Sequence, residues 1–290
     1  MKSITIENSD ASDSVQIHSS TSDLGYVVQG IDGLEFPATR IGVINRGGEH
    51  GAFIASSFYG ERRINLEGRV YADANTTNET RRRDLETILG IERDSDGIPA
   101  LKTLKFTTLD DKNLQIKCSI ASPLKMAVGR PRDSAFQIDL VSDYPIEGQT
   151  ANSTTFTTPT GGGFILAVEV PIVFTASTGS NKTLTNSGTG EAYPTLTFNG
   201  PLTNPSMHNQ TLGKTFAVTK TLISGDTLVV DMREKTATLN GVTNSMGDLT
   251  AASEWIWLLS GGNTFQFASS GGSADTGTCV VAWRDSYLGV

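Results

Sequence analysis

The chain has 290 residues, and its formal charge is 23 − 31 = −8. With 37% hydrophobic and 19% charged residues it can bury a large core, which excludes a coiled coil, a collagen-like fibre and a fully disordered chain. The acidic balance also argues against a protein that wraps nucleic acid by neutralising phosphates. The length gives a prior near two domains. Thirty glycines and ten prolines, among many Thr, Ser and Asn, favour short strands and turns over long helices.

The first residues, Met1 to Glu7, hold no apolar core of signal-peptide length. No window approaches 18 apolar residues, so no membrane insertion is expected. Tyr26 to Gly33 reads as a strand running into a turn. In Arg63 to Tyr71, Ile64, Leu66 and Val70 can share one face, and Gly68 marks a bulge or a close backbone approach. Thr76 and Glu79 fit a capping box; Leu85, Ile88 and Leu89 follow at helical spacing and Gly90 stops the run, predicting a helix over about 77–89. Leu104, Phe106 and Thr108 alternate, as do Leu114, Ile116, Cys118 and Ile120, so a hairpin turns at Asp110 to Asn113. Ala135 to Val141 is a further strand and closes a first domain over 1–147.

Residues 148–163 carry the chain's sharpest shift in composition, towards Thr and Gly, and read as a linker. A second domain, 164–290, then shows strand signals about every ten residues, as in a sandwich or barrel. They fall at Phe164 to Phe174, Leu184, Pro194 to Phe198, Thr215 to Leu222, Thr227 to Met232, Thr236 to Leu239, Thr264 to Ala268 and Cys279 to Arg284. Arg233-Glu234-Lys235 forms a charged hairpin tip, and a short helical piece is expected only near Ala251 to Trp255.

Chemistry-bearing constellations are scarce. Cys118 and Cys279 lie in apolar runs and read as buried small hydrophobes. His18, His50 and His208 have no His or Cys at metal-ligand spacing. His50 lies in Arg46-Gly47-Gly48-Glu49-His50-Gly51, a loop by composition. Asp110-Asp111 and Asp94/Asp96 are paired carboxylates, but turn chemistry explains them more simply than acid–base work. No nucleophile elbow and no phosphate loop is present. Neither a cofactor, a metal nor an enzymatic activity is expected. Arg81, Arg82 and Arg83 would point in different directions around a helix rather than form one anion patch. Trp283 shares a face with Val281, and Trp255 with Trp257; packing in a core explains both pairs better than a sugar platform.

One ordered set of segments goes further. Thr183 to Pro201, containing Tyr193-Pro194, Asn199-Gly200 and Gly200-Pro201, is followed by Asn204-Pro205-Ser206-Met207, Gly225 to Asp231, Leu239-Asn240-Gly241-Val242, Ser253-Glu254-Trp255 and Val281 to Asp285. This series resembles the C-terminal domain of siphophage distal tail proteins. Gly30-Ile31-Asp32-Gly33, Gly60 to Gly68 and the short Arg-rich helix are similar to the family's first half, so the resemblance runs from about Gly30 to Asp285. It implies a mainly β chain with one short helix in its N-terminal half, an N-terminal β-rich ring (belt) domain and a C-terminal galectin-like, carbohydrate-binding-module-like sandwich. It implies a structural virion protein, assembled in the host bacterial cytoplasm, that joins the tail tube to the tail tip or baseplate. Its expected partners are itself in a homohexameric ring, the tail tube protein, a tail-tip hub or tail-associated protein, and a receptor-binding protein or host glycan. Arg62, Arg63, Arg81 and Arg82 are the ring-interface candidates. The alternative is a carbohydrate-binding module of an adhesion device, with Trp257, Trp283, Asn199 and Asn240 meeting glycan.

Overall fold

A computed structural model describes residues 1–19, 25–72, 77–93, 97–126, 133–158 and 180–290. The first strands are β1 (Ser3–Glu7), β2 (Ser14–Ser19), β3 (Tyr26–Asp32), β4 (Thr39–Asn45), β5 (Ala52–Tyr59) and β6 (Arg62–Tyr71). Helix α1 (Asn78–Ile88) follows. Then come β7 (Lys102–Thr107), β8 (Asn113–Ile120), β9 (Lys125–Met126), β10 (Asp133–Ser142) and β11 (Ile146–Gly148). After them come β12 (Asn152–Thr157), β13 (Ser180–Asn186), β14 (Thr195–Asn199), β15 (Leu202–Thr203), β16 (Ser206–Asn209), β17 (Lys214–Ala217) and β18 (Thr221–Leu222). The chain closes with β19 (Thr227–Asp231), β20 (Thr236–Leu239), β21 (Thr243–Asn244), β22 (Gly261–Ala268), β23 (Thr278–Trp283) and β24 (Ser286–Tyr287).

Two compact units divide the chain. Unit 1 is Met1–Gln149 with Tyr287–Val290, and unit 2 is Thr150–Ser286. The boundary differs from the expected one in two ways. The stretch read as a linker contains β12, whose residues pair along β23 from Asn152↔Trp283 to Thr157↔Thr278. The last four residues return to unit 1. Thr and Asn without charge read equally well as linker and as edge strand, so composition misplaced the join. Residues 159–163 of the expected linker, and the apolar run Phe164 to Phe174, lie outside the described residues.

Unit 1 is built on the sheet order β2-β1-β7-β8-β10-β6-β3. Alternation dictates its core. On β6, Arg62, Ile64, Leu66, Gly68 and Val70 face inward, opposite Ile138, Leu140 and Phe136 of β10. Gly68 is required there: a Cβ would lie 2.5 Å from the Val27 carbonyl and 2.6 Å from the Phe136 ring. The expected β7–β8 hairpin forms, with Phe106↔Leu114 and Leu104↔Ile116, and Asn113 belongs to β8 rather than to the turn. Asp111 takes the left-handed conformation in its turn, φ 64°, which Asp tolerates. Lys102 occupies an inward position of the same strand, and its buried ammonium meets Glu92 at 2.7 Å and Asn8 at 3.0 Å. Helix α1 begins one residue later than the capping box predicted. Thr77, not Thr76, is the N-cap, its Oγ1 accepting from Thr80 N at 3.2 Å, and Thr76 lies outside the described residues. Arg81, Leu85 and Ile88 form its buried stripe.

Unit 2 is a two-sheet sandwich. One sheet runs β12-β23-β14-β19-β20-β21 and the other β13-β22-β16-β17. Inward residues of both, including Phe198, Val230 and Val281 from the first and Leu184, Met207, Phe216 and Phe267 from the second, form one core. Phe198 and Phe267 approach to 6.1 Å between ring centres. The β19–β20 hairpin turns at its charged tip, where Asp231 Oδ1 accepts from Arg233 N and Glu234 N. No helix forms at Ala251 to Trp255. That stretch instead covers the outer edge of β17: Thr250 N donates to Ala217 O, Ala217 N to Ser253 Oγ and Glu254 N to Thr215 O. An edge strand left open would be a pairing hazard, and the loop removes it. Among the described residues no helix is long and apolar enough to cross a membrane.

Candidate assembly surface

The hairpin of β4 and β5 is the part of unit 1 with no core of its own. Every residue of both strands is exposed. Pairing runs from Thr39↔Tyr59 to Asn45↔Ala52, with an irregularity between Gly42 and Val43 that leaves Ala55 unopposed. Directly opposed residues share a face. One face therefore carries Ile41, Val43, Ile54 and Tyr59, and the other Ile44, Phe53, Phe58 and Arg40. Ile54 is 73% exposed, Phe58 64% and Ile44 60%. The ribbon is apolar on both sides.

Its tip is the loop Arg46 to Gly51, closed by Arg46 N donating to Gly51 O at 3.1 Å. The Arg46 guanidinium lies 4.4 Å from the centre of the Phe53 ring and 3.9 Å from Glu49. His50 is thus an exposed residue at the arm's end. At the root, Leu34 is buried in the unit 1 core, Gly60 N donates to Ala38 O, and Phe36 meets Tyr59 edge-on at 5.4 Å.

The four arginines expected at an interface go to different places. Arg62 is only 5% exposed. Its guanidinium donates to Gly33 O (2.9 Å), to Glu35 O and to Leu288 O (2.8 Å). Burial lowers its pKa, and the nearby Glu35 carboxylate opposes that shift. Arg81 is 7% exposed, donates to Tyr71 O, and lies over the Tyr26 ring at 5.7 Å. Tyr26 in turn donates to Arg81 O, and burial pushes its hydroxyl up to about 12. Both arginines bind their own subunit's backbone and are not surface groups. An inward position of β6 and the inner stripe of α1 claimed them, because a guanidinium that satisfies buried carbonyls is tolerated where a lone charge is not. Arg82 pairs along the helix with Glu79 (2.8 Å) and Glu86 (2.6 Å). Arg63 is the exposed one, paired with Glu61 at 2.7 Å.

The glycan candidates do not converge. Trp283 is buried beside Val281 as expected, its Nε1 donating to Thr185 O at 3.2 Å. Asn199 bonds Thr278 and Thr227, and Asn240 bonds Thr227 and Asp226, as parts of one loop network. Trp257 sits elsewhere, against Tyr193 and under the Lys214 ammonium at 5.0 Å. Its neighbours Ile256 and Leu258 are fully buried, and the half-buried Trp255 packs on the core with its ring 5.5 Å from that of Phe216. The core packing expected of both tryptophans is found for Trp255, whereas Trp257 meets Tyr193 and Lys214. Asp110 accepts from Thr108 Oγ1 in its turn, and Asp94 and Asp96 lie outside the described residues. Among the described residues no cluster of His, Cys, Asp or Glu could hold a metal ion.

Residues 187–287 match the family model of the siphovirus-type tail component, C-terminal domain. The resemblance to siphophage distal tail proteins holds. The distal tail protein of phage SPP1, described as a paradigm of the hub adsorption apparatus in phages infecting Gram-positive hosts, superposes with a TM-score of 0.60 at 15% identity. The match covers 96% of this chain and 98% of that one. A chain of the phage P2 baseplate in its activated, calcium-bound conformation gives 0.53 at 8% identity, with 97% of each chain covered. No curated protein matches the sequence significantly. At these identities the likeness is one of fold, mostly β with a short helix, and it runs over both units.

Sequence reasoning missed the arm. Its signal was present: two runs rich in β-formers, Arg40 to Asn45 and Ala52 to Tyr59, separated by a loop containing Gly47-Gly48. Consecutive apolar pairs, Val43-Ile44 and Phe53-Ile54, give no inside–outside alternation, so the pattern points to no core.

Proposed function

We propose that this chain is a structural protein of a siphophage tail tip, a distal tail subunit that closes into a homohexameric ring between the tail tube and the hub that carries the host-attachment parts. The observation that carries this reading is the β4–β5 arm. A two-stranded ribbon in water is marginal on its own. Contiguous apolar surface beyond a few hundred Å² marks a contact site, and eight large side chains, Phe36 and Tyr59 among them, are more than half exposed here. At roughly 100 Å² each they offer about 800 Å², the share one partner contributes to a standard protein interface. An arm gripping the next copy, whose own arm grips the next, is a head-to-tail contact, and such contacts close into rings. The fold-level likeness to a hub protein of a phage adsorption apparatus supports the same reading, as does the tail-component match in unit 2.

The test is mass in solution. A ring is expected at about six times 30.9 kDa, near 185 kDa, by native mass spectrometry, and a chain with residues 39–59 replaced by a short Gly-Ser link is expected to stay single. A wild-type protein that is a monomer at every concentration and does not join tails would end the ring reading. The glycan reading lacks a site: Asn199 and Asn240 share one loop network, but Trp283 is buried and Trp257 sits elsewhere, against Tyr193.

A further inference from the structure

The arm leaves unit 1 through a short neck, Gly33 to Ala38 on one side and Gly60 on the other. What holds this neck is not local in sequence. The Arg62 guanidinium, buried beneath it, bonds the carbonyls of Gly33 and Glu35 and, on its other nitrogen, that of Leu288. Two further contacts bind the same distant segment to the neck. Val290 N donates to Leu34 O at 3.1 Å. Gly289 lies so close that a Cβ there would stand 2.9 Å from Glu35 C and 3.1 Å from both Glu35 O and Phe36 N. The segment that braces the neck is therefore Tyr287–Val290, the part of the chain that re-enters unit 1 after unit 2.

We infer that Arg62 is a positioning residue for assembly, which with the closing segment Tyr287–Val290 fixes the direction in which the arm is offered to the next copy. The inference rests on the ring reading above and adds to it the means by which the arm is aimed. An arm that swings on its neck loses orientational freedom on binding, and holding it beforehand removes that cost from the contact. One guanidinium suits this task because its planar fork presents several donors in fixed directions, so three carbonyls from two distant segments are locked by one group. Arg62 is itself 5% exposed, which separates this role from the interface contact that the sequence suggested.

The experiment compares full-length wild type, Arg62→Met, Arg62→Lys and Gly289→Val. Each is measured for thermal melting of the subunit, ring-to-subunit dissociation by concentration-dependent native mass spectrometry, and hydrogen exchange at the Gly60 amide. Arg62→Met is expected to stay folded, to raise the ring's dissociation midpoint by about tenfold or more, and to speed exchange at Gly60. Arg62→Lys, keeping the charge but not the fork, should fall between. Gly289→Val pushes the closing segment off the neck with Arg62 intact; it should weaken the ring likewise while the subunit, its melting temperature lowered, stays folded at the assay temperature, and it decides the matter if Arg62→Met does not fold. Rings from Arg62→Met or Gly289→Val that dissociate at the wild-type concentration would overturn the inference while leaving the ring reading standing. A wild type that never assembles would instead remove the ring reading itself.

Discussion

Removing one apolar side chain from either face of the arm should break assembly without disturbing the subunit. Ile54 and Phe53 are neighbours on β5 that point to opposite faces, opposed by Val43 and Ile44 respectively. Ile54 is 73% exposed and Phe53 57%, so most of each side chain remains to be buried by a partner. Full burial of such a side chain contributes about 1.5–3 kcal/mol. Ile54→Ser should therefore cost about 1.5–2 kcal/mol per contact, roughly ten- to thirtyfold in its dissociation constant. Six contacts in a closed ring multiply that to about 9–12 kcal/mol for the whole assembly. The isolated subunit should hardly register either change, since substitutions at exposed positions usually stay within about 0.5 kcal/mol. Leu34→Ser, in the buried root, is the contrasting control and should lower subunit stability directly. Sedimentation equilibrium over a hundredfold range of concentration, paired with thermal melting, reads both quantities. If Ile54→Ser and Phe53→Ser both assemble at the wild-type concentration, the arm is not the grip. If only one of them matters, the arm is gripped on that face alone.

Three further outcomes follow from the packing. Neither thiol should react with an aromatic disulfide reagent in the native protein, and both should in denaturant; both are fully buried, and burial pushes Cys118 up to about 12 and Cys279 well above its ordinary value. Asp139 is held down at about 2 by hydrogen bonds from Ser122 first and Asn65 next. A carboxylate with a depressed folded-state pKa adds stability above its unfolded value near 3.8 that is lost as the pH falls towards 2. Denaturant midpoints should therefore drop more steeply between pH 4 and 2 in the wild type than in Asp139→Asn, and parallel curves would refute the assignment. Tryptophan fluorescence should stay flat when host cell-wall polysaccharide is titrated in, because Trp283 is in the core and Trp257 has a lysine over its ring; saturable quenching would revive the glycan reading.

Most of the fold was legible where one face of a strand is wet and the other dry. The alternation of Leu104 and Phe106 and of Leu114 and Ile116 gave a hairpin, and the beat of about ten residues over 164–290 pointed to a sandwich or barrel. Gly68 announced a close approach that the Phe136 ring and Val27 carbonyl provide. The signal failed where that contrast is missing. β12 has no charge and little hydrophobicity, so it read as linker. The arm has apolar residues on both sides, so it showed no dry face. Arg62 and Arg81 looked like surface charges by residue type, although Arg62 is in step with Ile64 and Leu66 and Arg81 with Leu85 and Ile88; the carbonyls that satisfy Arg62 come from segments as distant as Leu288, and no pattern along one strand or helix announces them.

The connectivity explains why a brace from Leu288 exists at all. Unit 2 is an insertion: the chain leaves unit 1 after Gln149 and re-enters it at Tyr287. A domain hung on one linker would leave its far end loose, but an inserted one must bring the chain back. In unit 1 the returning residues are put to structural use. β24 pairs with β11, the strand just before the first crossing, and the next residues run under the arm's neck. The alternative, a free tail after unit 2, would leave Arg62 with two carbonyls instead of three and would open a gap beneath Glu35 and Phe36. A buried guanidinium left partly unsatisfied is costly, so the neck and the closing segment stabilise each other.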